Sequence, residues 1–86
     1  MGIHQRYKEN RLQIHELLGV PSNEPIFIIR AQDKFSIATL SAYKDVAHVG
    51  TIIGEESEEW IEDLGSIRND FINWQRDNRD KVKVPD

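Results

Sequence analysis

Cysteine is absent from this 86-residue chain. That removes disulfides and every thiolate zinc site from consideration. A chain this short buries only about 60–65% of the surface it exposes when unfolded, so it usually needs a staple, very regular helix packing or a partner. With disulfides gone and His4, His15 and His48 too scattered for a closed metal site, packing or self-association must supply the stability. No metal or other cofactor is expected. No apolar run approaches the ~20 residues of a membrane span. Met1-Gly2-Ile3-His4-Gln5-Arg6 is not followed by an apolar signal region, so a cytoplasmic location is expected. A basic excess is also lacking. Eleven Lys and Arg face fifteen Asp and Glu, for a net charge of −4, which argues against general nucleic-acid binding. Enzyme signatures are missing as well: there is no nucleophile elbow, no P-loop and no dinucleotide-binding glycine pattern. The expectation is a protein that is not an enzyme.

What the chain does contain is helical periodicity. Ile3, Tyr7, Asn10, Ile14 and Leu17 recur at spacings of 4, 3, 4 and 3, which predicts a helix from about Ile3 to Leu18. Gly19 and Pro21 stand where a helix ends. Ile26 to Gln32 is β-branched and aromatic, bounded by Pro25 and Asp33, and predicts a short strand or extended segment. Its backbone needs partners. Three are open: Thr51–Ile53, the same segment of another subunit, or helices against which it lies extended. A second helix is predicted from about Ile37 to His48, capped by Asp33 or Ser36 and ended by Gly50. A last helix is predicted from near Ser57 to about Asn78, with Trp60, Leu64, Ile67, Phe71 and Trp74 in one stripe. Gly65 inside it suggests close packing of another helix. The predicted fold is therefore mainly α, one small domain over residues 1–86, in the order helix, strand, helix, helix, and a homo-oligomer.

Two polar clusters are candidate ligand sites. Arg30, Gln32, Asp33 and Lys34 close the extended run just before a helix start, where a phosphate or carboxylate is favoured. Arg30 and Lys34 would meet the anion while Gln32 and Asp33 read polar edges. Tyr43, on the following helix, is the candidate for stacking on a base. The plainer reading of the same residues is that Asp33 caps the helix, Arg30 pairs with a carboxylate, and Gln32 and Lys34 are solvated. His4, Lys8, Arg11 and His15 form a basic strip on the first helix, from which Arg11 or His15 would add charge to the site. That strip could equally meet acidic side chains. Residues 1–34 carry net +1 and residues 35–86 net −5. Glu55, Glu56, Glu58, Glu59 and Asp63 crowd the start of the last helix, where the helix dipole favours acids. Arg76, Arg79 and Lys81 cluster near its other end, again the favoured sign.

From Glu24 to Asp86 the chain resembles small uncharacterised proteins encoded by bacteriophages and prophages. The resemblance rests on Phe27-Ile28-Ile29-Arg30-Ala31-Gln32-Asp33, on Ala38, Leu40 and Tyr43, on Trp74-Gln75 and on Val84-Pro85-Asp86. Residues 1–23 lie outside it. Small phage proteins of this kind include anti-defence sponges that sequester nucleotide signals of bacterial immunity, often as helical homo-oligomers with pockets between subunits. By that analogy of class, the chain is expected to bind an anionic small molecule, a cyclic nucleotide among the candidates, at an inter-subunit pocket. The other expectation is an interaction module, a phage inhibitor or assembly factor that docks a host or virion protein.

Overall fold

The structure, a computed structural model, describes residues 2–52 and 58–85. It is mainly α: α1 (Ile3–Glu9), α2 (Arg11–Leu18), α3 (Ser36–Ile52) and α4 (Glu58–Asp77), followed by a 3₁₀ turn at Arg79–Lys81. The chain divides into two compact units, residues 2–29 with Pro85, and residues 30–84.

In the first unit the single expected helix is two. Asn10 leaves the helical region at φ −116°, ψ 22°. Its side-chain amide donates to the Arg6 carbonyl at 2.9 Å, the local competition that makes Asn a poor helix-interior residue. The break rotates α2 relative to the spacing of α1. Leu17, placed in the apolar stripe by the sequence spacing, is 85% exposed, and His15 is instead buried to 1% exposure. The ring of His15 sits between the Tyr7 hydroxyl (2.6 Å from Nε2) and the Pro21 carbonyl (2.9 Å from Nδ1). A carbonyl only accepts, so Nδ1 carries the proton and, in the neutral ring, the Tyr7 hydroxyl donates to Nε2. Gly19, at φ 68°, ends α2 as expected. Its N–H reaches the Glu16 carbonyl at 3.2 Å and Val20 reaches His15 at 2.9 Å. A Cβ would strain that left-handed conformation.

The second unit is built on the antiparallel pair α3 and α4. Ala47 and Leu64 are its buried apolar residues, and Ser36 is completely buried. Helix α3 runs past Gly50 to Ile52, so Thr51 and Ile52 are helical rather than an extended partner for the Ile26–Gln32 segment. The expectations placed on Ile53, Gly54, Glu55, Glu56 and Ser57 lie outside the described residues. Gly65 does not mark a close helix crossing. A Cβ there would meet only the Lys44 Cε, at 3.8 Å.

No strand forms among the described residues. Residues 25–30 run without a ladder, and the one bridge is isolated and parallel, between Asp33 and Lys83. Lys34 N–H donates to the Lys83 carbonyl at 2.8 Å, and Lys83 N–H to the Gln32 carbonyl at 2.9 Å. The segment after α4 thus supplies backbone partners for the end of the predicted strand. No helix among the described residues is long and apolar enough to cross a membrane.

Candidate functional site

The residues singled out by sequence are divided between the two units. Arg11, half-buried on α2, and His15, buried in its hydrogen-bonded niche, belong to the first unit. Arg30, Gln32, Asp33, Lys34 and Tyr43 belong to the second. Tyr43 stands edge-on to Trp60, ring centroids 6.4 Å apart at 89°. It serves the α3–α4 contact there.

The segment 30–36 is a knot of hydrogen bonds. Asp33 Oδ1 accepts the Phe35 N–H at 2.7 Å, and its carbonyl accepts the Ser36 N–H at 3.0 Å. Gln75 closes the knot from α4. Its amide nitrogen lies 2.8 Å from the Ala31 carbonyl, 3.1 Å from that of Asp33 and 3.2 Å from the Ser36 hydroxyl. Gln32 contributes its carbonyl to the bridge with Lys83. Asp33 is therefore committed to the fold as a turn cap, and Arg30 and Lys34 are left exposed. Sequence reasoning placed Asp33 or Ser36 at this helix start but missed Gln75 as their partner, because hydrophobic periodicity carries no information on which half-buried amide meets which carbonyl.

Beside the knot lies a cavity of about 360 Å³, lined by Ile37, Ile72, Gln75, Arg76, Arg79 and Val82. Gln75 joins the two features. Its side chain both holds the 31–36 turn and lines the cavity. Isoleucine and valine give apolar surface, and Arg76 and Arg79 are the cationic residues of the lining. The volume falls in the range of small-ligand sites. Arg76 Nε is 3.1 Å from Asp77 Oδ1, both side chains well exposed. That hydrogen bond, and then the charge of Asp77, raise the Arg76 pKa above its ordinary value. A pair so exposed is weak, so Arg76 can exchange Asp77 for another anion. In the sequence, Arg76, Arg79 and Lys81 are legible only as favourable charges at a helix end. Among the described residues no group of three or more His, Asp or Glu side chains is placed to hold a metal ion.

Comparison with protein families, with curated proteins and with solved structures gives no match. The class that the fold and site define is thus a small helical protein with one cationic, apolar-walled cavity described in its second unit.

Proposed function

We propose that this protein is a non-enzymatic, phage-type binding protein that sequesters an amphipathic anion, most simply a nucleotide, in the cavity at the end of α4. One observation carries the reading: Arg76 and Arg79 flank an apolar wall of Ile37, Ile72 and Val82. Guanidinium groups suit phosphate through paired N–H donors, and the isoleucines suit the face of a base. Arg30 and Lys34 stand exposed on the turn that Gln75 anchors, so they can add long-range charge. Gln32, Asp33 and His15 are left out as ligand-reading groups in this proposal because none of them lines the cavity; Asp33 caps the turn and His15 is held between Tyr7 and Pro21. Tyr43 also drops out, because it is not among the residues that line the cavity. The cavity is an open one lined by residues of the second unit, and in this proposal the ligand sits there. Its lining offers cations, an amide and apolar surface, which are groups for holding a ligand rather than for turning it over.

The test is calorimetry and native mass spectrometry of the full chain with a panel of linear and cyclic nucleotides. One member is expected to bind, and Arg79→Ala is expected to weaken it by at least about tenfold with helicity unchanged. A chain that binds none of the panel, or an Arg79→Ala variant that binds equally well, would sink the reading.

A further inference from the structure

The side of the α3–α4 pair away from the cavity is apolar and open. Thr39, Ala42, Val46 and Val49 follow Phe35 at spacings of 4, 3, 4 and 3, which draws one line along α3. This line is not the one packed on α4, which runs through Ser36, Leu40 and Ala47. Val46 is 74% exposed, and Phe35, Tyr43 and Val49 are each more than half exposed. On α4, Trp60 and Ile67 are exposed on the same side, as the edge contact of Tyr43 with Trp60 fixes. Ile37 and Ile72, which line the cavity, mark the opposite side. A contiguous apolar face of this extent on a small domain marks an interaction surface.

Its borders are acidic. Helical spacing puts Asp63 and Asp70, seven residues apart, next to the Trp60–Ile67 stripe on its outer edge, and Asp45 beside the Ala42–Val49 line on the other. All three are exposed, and the ion pair present among the described residues, Arg76–Asp77, involves none of them. An apolar trough between two acidic edges selects its occupant by charge. A second copy would bring carboxylates against carboxylates. About a twofold axis near Ile67, Asp63 falls opposite Asp70, and like charges so placed are unfavourable.

We infer that this face is a docking trough for an amphipathic basic helix of a partner protein. The partner's apolar stripe would lie over Tyr43, Val46, Trp60 and Ile67, with Lys or Arg at seven-residue spacing reaching Asp63 and Asp70. This completes a three-helix arrangement by the helix-in-groove mode of recognition. The inference goes beyond the anion site and does not rest on it, since the two use opposite sides of the helix pair.

The experiment uses the full chain and two synthetic amphipathic helices with the same leucine stripe. One carries lysine along its flanks and the other glutamate. Calorimetry is expected to give the basic peptide a Kd of about 1–10 µM and the acidic peptide a value at least about tenfold weaker. Val46→Lys with Val49→Lys, 74% and 56% exposed and therefore compatible with folding, is expected to abolish binding while circular dichroism stays unchanged. Asp63→Lys with Asp70→Lys is expected to reverse the preference between the two peptides. Equal binding of both peptides, no binding of the basic one, or an unchanged preference in the Asp63→Lys, Asp70→Lys variant overturns the inference. So does a stable dimer of the chain, seen by sedimentation as twice 10.0 kDa, that Val46→Lys dissolves. Loss of nucleotide binding in Arg79→Ala leaves all of these outcomes untouched.

Discussion

Residues 2–29 turn on a buried imidazole, and residues 30–84 on a half-buried amide. In the first unit, Tyr7 and His15 are the only buried side chains among the described residues; they bond to each other, and His15 also bonds to the Pro21 carbonyl. In the second, Gln75 meets three acceptors, while Ala47 and Leu64 carry an apolar contact along two helices of 17 and 20 residues. Both regions therefore use a polar anchor. The first has almost nothing else, whereas the second spreads its stability over a helix pair. A short chain can fix a tight turn with one well-placed polar side chain. The cost of losing that side chain then depends on how much apolar packing surrounds it.

The sharpest way to break this comparison is His15→Ala. It leaves a cavity and strips the Tyr7 hydroxyl of its buried partner, so a destabilisation of about 3 kcal/mol is expected for the first unit. Both tryptophans, Trp60 and Trp74, lie in the second unit. Circular dichroism should therefore show early helix loss that tryptophan fluorescence does not follow. A fluorescence transition shifted as far as the dichroism would contradict the contrast. Gln75→Ala comes next. It removes the Gln75 donor from the Ala31 carbonyl and the Ser36 hydroxyl and leaves the Asp33 carbonyl with the Ser36 N–H alone, and about 1.5 kcal/mol is expected in urea unfolding followed by fluorescence. A loss as large as that for His15 would mean that the helix pair contributes less than its packing implies. The smallest effect has the opposite sign. Gly65→Ala finds ordinary contact distance at Lys44 and restores helix propensity, so it should stabilise the second unit by about 1 kcal/mol. A destabilising result would show that α4 needs the open space.

Helix existence was legible in the residues. The 4, 3, 4, 3 spacing located α4 and, with Gly19, the end of α2, because burial periodicity and chain-reversal chemistry are local. What periodicity missed has a common cause. Asn10 looked like a tolerated member of a stripe, yet its own side chain takes the Arg6 carbonyl, and the one-residue interruption rotates His15 inward and Leu17 outward. The apolar run from Ile26 read as a strand because composition cannot say whether a ladder partner exists. The bridge at Lys83 supplies only one step of it. For the candidate site, the cap at Asp33 was legible as the plainer reading of that residue, but Gln75, its partner on α4, was not, since it is more than forty residues away in sequence. Arg76 and Arg79 were visible as charges only. Their convergence with Ile37 and Val82 is a property of the fold.

The bridge between residues 32–34 and Lys83 has a topological consequence. It fastens the start of the second unit to its end, so the chain enters and leaves residues 30–84 at one point, as a loop tied at its neck. A segment with adjacent ends behaves as a cassette. It can be spliced into a surface loop of another protein, or given new termini between α3 and α4, without separating the two ends that the bridge holds together.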